Sequence, residues 1–229
     1  MNINKLLTTV NYKKLSNRKI KYIAIHYVGA TGSAEANCKY FKDVYRGASA
    51  HYFVGHAGDV WQCVEDKDVA FHCGATSYKH AYCRNDNSIG IELCCRKRAS
   101  NNTWYFEEET INAAIELTKE LMKKYGIPAE NVIRHYDITG KVCPEPFVRD
   151  TSAWAQFKSN LSTPTIASTG YVVVVTADAL NVRAGAGVGY KINTVVKKGE
   201  AFTIIKEFNG WGKLKSGAGW INLKYTKRK

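Results

Sequence analysis

Ile20-Lys-Tyr-Ile-Ala-Ile-His-Tyr-Val28 is a run of β-branched and aromatic residues that ends at Gly29, the pattern of a buried strand. One polar side chain, His26, stands near its C-terminal end. A second run, Ser88-Ile-Gly-Ile-Glu-Leu-Cys-Cys95, places Ile89, Ile91 and Leu93 on one face and Gly90 and Glu92 on the other. Around these two strands the chain alternates. Ser33 is a cap for a helix reaching about Arg46, with Ala36, Tyr40 and Val44 at four-residue spacing. Residues 50–55 and 60–64 read as a strand pair about the turn Ala57-Gly58-Asp59, and residues 72–87 as loop.

Residues 107–125 predict a helix. Its first turn is acidic, Ile111, Ala114, Ile115, Thr118, Leu121 and Met122 line one face, and Gly126 with Pro128 beyond it ends the element. Residues 131–133 read as a short strand leading into Arg134-His-Tyr-Asp137, and residues 151–161 as a last helix. Strands alternating with helices imply an α/β fold, a mixed central sheet flanked by helices, over residues 1–161.

Residues 162–170 are small, polar and uncharged, which is linker composition. Beyond them, residues 172–176, 191–196, 201–207, 212–214 and 219–223 are short β-prone segments among glycines, so residues 171–229 predict a small all-β barrel. The 229 residues carry a formal net charge of +13, and the last third, which holds few acidic side chains, carries most of it. That excess suits a polyanionic partner or surface and leaves nucleic acid, anionic lipid and acidic wall polymer open. The seven cysteines all precede the linker, odd in number and with an adjacent pair, unlike a secreted disulfide framework. No signal peptide and no stretch long enough to span a bilayer are evident, so folding in a reducing cytosol is expected, without membrane insertion.

His26, His135 and Cys143 are the right residue types for zinc. Two imidazoles and a thiolate leave a tetrahedral Zn²⁺ one open position, as hydrolysis requires. Lys141, two residues before Cys143, is a cation suited to an oxyanion, and a carboxylate at Glu92 is suited to take a proton from attacking water and pass it to a leaving amine.

Five ordered segments carry a resemblance. Ile23-Ala-Ile-His-Tyr27, Ser49-Ala-His-Tyr52 with Gly58-Asp-Val-Trp-Gln62, Ala70-Phe-His-Cys-Gly74, Ser88-Ile-Gly-Ile-Glu-Leu93 and Arg134-His-Tyr-Asp-Ile-Thr-Gly-Lys-Val-Cys-Pro144 resemble the zinc-dependent N-acetylmuramoyl-L-alanine amidases, over about residues 15–160. The resemblance implies the amidase and peptidoglycan-recognition fold, one Zn²⁺ per chain on His26, His135 and Cys143, a catalytic Glu92, an assisting Lys141 and a substrate-lining His72. Ala50 stands where some relatives have a tyrosine, which shifts the proton transfer to Glu92. Cys143-Pro-Glu-Pro-Phe147 lacks the glycine many relatives place after Cys-Pro. The segment Asp178-Ala-Leu-Asn-Val-Arg-Ala-Gly185, then Gly199-Glu200 and Asn209-Gly-Trp-Gly-Lys-Leu-Lys215 with Gly219-Trp-Ile-Asn222, resembles a bacterial SH3 domain. Trp211, Trp220, Tyr190 and Tyr225 are then candidates for a wall-binding face, with at least one of the two tryptophans expected in the core, and Lys227-Arg228-Lys229 is expected to be a solvated tail.

Together these features imply a modular peptidoglycan hydrolase that cleaves the bond between N-acetylmuramic acid and L-alanine. The expected setting is a phage endolysin that waits in the host cytoplasm and needs a holin to reach the cell wall. A bacterial or prophage-encoded autolysin is the alternative within this class. A non-catalytic peptidoglycan-binding protein is the alternative outside it, disfavoured by Cys143. A nucleic-acid binder rests on net charge alone and lacks any recognition motif.

Overall fold

The run around His26 is a strand, buried from Tyr22 to His26. It lies in a six-stranded sheet made of β1 (Ile3–Lys5), β2 (Tyr22–Tyr27), β3 (Tyr52–Val54), β4 (Val60–Gln62), β5 (Ser88–Leu93) and β6 (Val132–Arg134), in the spatial order β1-β4-β3-β5-β2-β6. Neighbours run parallel except β3 and β4, which form the expected hairpin. A computed structural model describes residues 1–162, 170–208 and 210–229, and the chain divides into two units, Met1–Thr163 and Pro164–Lys229. The expected linker at residues 162–170 lies almost wholly outside the described residues.

Strand register places the polar side chains. On one side of β2, His26 pairs with Glu92; on the other, Ile25 pairs with Arg134, the residue before His135. Neighbouring strands lie about 4.8 Å apart. Three side chains separated by up to 109 positions in sequence are therefore delivered to the C-terminal ends of three adjacent parallel strands.

The first helix, α1 (Ala34–Lys42), starts where expected. Ser33 Oγ accepts the Ala36 N–H at 3.2 Å. It ends earlier than expected and turns a different face inward. Ala34 and Cys38 are buried and Phe41 stacks on Phe53, whereas Tyr40 and Val44 are 53% and 52% exposed. The spacing 36, 40, 44 picked out the outer side; the inner side follows 34, 38, 41, which is equally helical in period but less hydrophobic residue by residue. The long helix, α2 (Glu108–Tyr125), is capped by Gly126 at φ 64°, and Leu117 takes the buried place assigned to Met122. It packs against β3, β5 and α5 (Thr151–Ser162). Two short helices, α3 (His135–Thr139) and α4 (Glu145–Arg149), had no periodic signal because each is a single turn or so.

The second unit is a seven-stranded antiparallel sheet. Beyond the five expected strands it includes Ala179–Arg183, the Leu-Asn-Val-Arg segment, and Thr226–Arg228. The tail residues Lys227, Arg228 and Lys229 are exposed, as expected, and the segment is also paired, with Val173 opposite Arg228 and the Arg228 guanidinium 3.7 Å over the Tyr171 ring. The core is Val173, Val175, Leu180, Val182, Val196, Ile204, Leu214 and Ile221. Gly219 permits a close approach: at φ 139°, a Cβ there would sit 2.3 Å from the Arg183 carbonyl.

The aromatic face expected on this unit is corrected by the fold. Trp211 and Trp220 are 7% and 5% exposed and pack together with Ala186, so they fill a small core of their own. Strands Trp211–Leu214 and Trp220–Asn222 pair directly, which turns both indoles to one inner face. Tyr190 and Tyr225 remain exposed.

Candidate active site

His26, next to last in β2, is buried, with its Nδ1 toward His135. Arg134 closes β6 and sets the turn after it: its backbone N–H and its Nε donate to Asp137 Oδ2 at 2.9 and 3.0 Å, and Nη2 to Oδ1 at 2.8 Å. Burial alone raises a carboxyl pKa, but these bonds win and hold Asp137 below the usual carboxylate range. With the turn pinned, His135 begins α3 and its Nδ1 comes to 3.1 Å from His26 Nδ1. The chain then passes Gly140 and returns. The Tyr136 N–H donates to the Cys143 carbonyl at 2.7 Å, and Cys143 Sγ lies 3.8 Å from His26 Nδ1.

The three predicted ligand atoms thus lie within 4.8 Å of one another, all on buried residues. The donor set fits a single zinc ion. Tetrahedral geometry with Zn–N near ~2.05 Å and Zn–S near ~2.3 Å puts nitrogens about 3.3 Å apart and nitrogen and sulfur about 3.6 Å apart. Their chemistry also calls for a cation. Burial, then the Lys141 charge, lowers His135 to about 4, and burial followed by His135 itself pushes His26 well below its ordinary value, so both rings are neutral donors near pH 7. Burial, then the Glu92 charge, pushes the Cys143 thiol up to about 12. A thiolate is costly here unless a positive ion shares the space.

A cavity of about 270 Å³ opens onto these atoms, lined also by Glu92, Lys141, Tyr27, Phe41 and Phe53. Glu92 Oε2 is buried with no hydrogen-bond partner among the described residues, and burial, partly offset by Lys141, raises the carboxyl pKa to about 8. A base with that pKa holds or releases a proton near neutrality. Lys141 is exposed at the rim, and its charge reaches both Glu92 and His135. All five residues expected at the reacting centre are therefore in one place.

His72 also lines the cavity, but most of its ring is buried behind His26, with His72 Nδ1 3.0 Å from His26 Nε2. Two residues outside the expected set also shape the site region: Tyr27, whose hydroxyl donates to Glu145 Oε2 at 3.3 Å, and Arg18, whose guanidinium binds the backbone carbonyls of Asp66, Asp68, Asn85 and Ser88. Tyr27 was within reach, being next to His26; a lone arginine in a polar N-terminal segment carries no signal of such a hub.

The profile of the N-acetylmuramoyl-L-alanine amidase family matches residues 16–146, and that of the bacterial SH3 domain matches residues 178–227. The chain is similar to a probable N-acetylmuramoyl-L-alanine amidase of Bacillus licheniformis, 33% identical over 153 residues, covering 62% of this chain and 41% of the relative. It is 30% identical over 157 residues to the N-acetylmuramoyl-L-alanine amidase BlyA of Bacillus subtilis, again covering 62% and 41%. The chain thus spans about two fifths of the length of these curated relatives. Among solved structures, the catalytic domain of XlyA superposes with a TM-score of 0.57 at 25% identity, over 71% of this chain and all of that domain.

Proposed function

We propose, on the premise that this chain belongs to the N-acetylmuramoyl-L-alanine amidase family, that it hydrolyses the amide between N-acetylmuramic acid and the stem-peptide L-alanine of peptidoglycan. The observation that carries this is the convergence of His26 Nδ1, His135 Nδ1 and Cys143 Sγ beside Glu92 at the base of one cavity. These three atoms would hold one Zn²⁺ per chain, which when bound supplies Lewis acidity and acidifies water at its open position.

The remaining work falls to the chain's own groups. Glu92 takes the proton of the attacking water and delivers it to the departing L-alanine nitrogen, so the amine leaves neutral. Its desolvated site favours both halves, since burial raises the carboxyl pKa to about 8, close to neutral pH. The Lys141 ammonium at the rim offsets the negative charge that develops on the amide oxygen. Phe41, Phe53 and Phe71 contribute to the apolar part of the wall, which limits water near Glu92.

The bacterial SH3 unit, with most of the net positive charge, attracts the anionic wall and concentrates the catalyst there. Exposed Tyr190 and Tyr225, rather than the buried tryptophans, are the aromatic residues available for wall contact. We place the protein in the host cytoplasm until a holin opens the route to the wall, as a phage endolysin; an autolysin shares the chemistry but not the release. A non-catalytic wall receptor is disfavoured by the complete set of three ligands with a base beside it.

Mass spectrometry of purified peptidoglycan after digestion tests the reading. Stem peptides with a new L-alanine amino terminus are expected. New reducing sugar ends without free stem peptides would show a glycosidase and sink the proposal.

A further inference from the structure

Behind His26, on the side away from its Nδ1, stands a row of polar groups whose directions are fixed. His26 Nε2 lies 3.0 Å from His72 Nδ1, His72 Nε2 lies 3.2 Å from Ser88 Oγ, and the Ser88 hydroxyl donates to the Arg84 carbonyl at 2.6 Å. A carbonyl oxygen only accepts, so the polarity of the row is set from its far end. Ser88 has one proton and gives it to Arg84; it must therefore accept from His72 Nε2–H. An imidazole with a single ring proton then presents Nδ1 as an acceptor, which takes the proton on His26 Nε2. The lone pair of His26 is left on Nδ1, the atom that faces His135 and Cys143.

The place of the His72 ring is built, not incidental. A Cβ on Gly90 would lie 2.5 Å from His72 Cγ and 2.9 Å from Nδ1, so the ring occupies the space a side chain on β5 would fill. The backbone φ of Gly90 lies outside the left-handed region, and the three atoms nearest to such a Cβ all belong to this ring. The loop bearing the ring is held as well: the His72 and Cys73 N–H groups both donate to Asn85 Oδ1, at 3.1 and 2.8 Å.

We propose that His72, held by Ser88 and given room by Gly90, is a positioning residue that fixes the tautomer and ring plane of His26 so that Nδ1 is presented to the metal. The inference rests on the zinc reading of the site and assigns His72 a role toward the ligand rather than toward substrate. Without this acceptor, His26 is free to carry its proton on either nitrogen and to tilt, and only one arrangement binds.

The test measures zinc affinity of the full chain by competition with a chromophoric chelator, together with the visible spectrum after Co²⁺ loading. His72→Ala is expected to weaken zinc binding by about tenfold to a hundredfold, the range for lost outer-shell partners, and to alter the Co²⁺ bands. His72→Asn, whose Oδ1 can accept from His26 Nε2–H, should recover most of the affinity. Gly90→Ala should weaken binding by displacing the ring, yet add nothing in a His72→Ala background, because the group it strikes is gone. Parent-like zinc affinity and Co²⁺ bands in His72→Ala would overturn the proposal. Should that variant not fold, parent-like affinity in Gly90→Ala overturns it instead. A parent chain that takes up no zinc would refute the zinc reading itself, a separate outcome.

Discussion

Replacing Glu92 with glutamine should stabilise the metal-free protein and disable it at the same time. The carboxyl pKa rises from its ordinary 4.5 to about 8 because the group is buried, Oε2 has no partner among the described residues, and Lys141 offsets only part of the cost. An acid with a raised folded pKa keeps its proton in the native state after the unfolded chain has lost it. Between pH 4.5 and about 8 the native state therefore binds more protons, and parent stability falls as pH rises. At about 1.4 kcal/mol per unit, a shift of some 3.5 units corresponds to at most about 5 kcal/mol, reduced by whatever water reaches the exposed edge of the residue. Glutamine keeps the shape and cannot ionise. The stability of Glu92→Gln relative to parent should be near zero below pH 4.5, grow through the window and level off above about pH 8. Calorimetric melts of chelator-treated protein at about pH 4.5 and about pH 8.5 read this difference in the transition of the amidase unit. Wall-peptide release should meanwhile fall by about 10²–10⁴, the usual worth of a general acid-base group. Equal stability differences at both pH values would falsify the burial argument, and parent-rate release would remove Glu92 from the proton transfer.

Other expectations rest on the same contacts. Lys141→Met should lower kcat by about 10²–10³ with little change in KM, as for a lost oxyanion partner; a change confined to KM would instead make it a substrate anchor. The buried imidazoles set the acid limit of the metal-free fold. His135 is lowered to about 4, so the unfolded state binds more protons below pH 6.5 and stability should drop as pH falls from 6.5 toward 4. Urea midpoints across that range in His135→Gln, compared with parent, would expose a flat difference if the ring were not buried neutral. Stripping the metal with a chelator should abolish release of wall peptides, and one equivalent of zinc should restore it; activity that survives exhaustive chelation argues against the ligand set. Trp220→Ala should cost about 3–5 kcal/mol in the SH3 unit, as for a buried aromatic. Weakened wall binding with an unchanged melt would return Trp220 to the surface role it lacks here.

Most of the fold was legible because most of it is periodic. The strands at 22–27 and 88–93 and the helix at 108–125 repeat their apolar residues at the spacing their geometry demands, over enough residues to be read. Where the pattern was short it misled. Helix α1 was turned the wrong way because small Ala34 and Cys38 make less of a signal than Tyr40 and Val44, and β1 and the strand at 226–228 were invisible because backbone pairing needs no apolar side chain. Aromatic composition suggested an exposed face on the second unit; Trp211 and Trp220 show that the same large apolar area serves a small core first.

By itself the sequence determined the residue types of the site, His26, Glu92, His135, Lys141 and Cys143, along with the strand and helix ends that carry them, since chemistry and local period are properties of short stretches. Only the tertiary structure decided that Glu92 stands beside His26, that His135 arrives on its other flank, and that His72 stands behind it with Nδ1 3.0 Å from His26 Nε2. Those relations depend on strand order and register, which arise from packing two faces of a sheet at once and are written in no single segment of the chain.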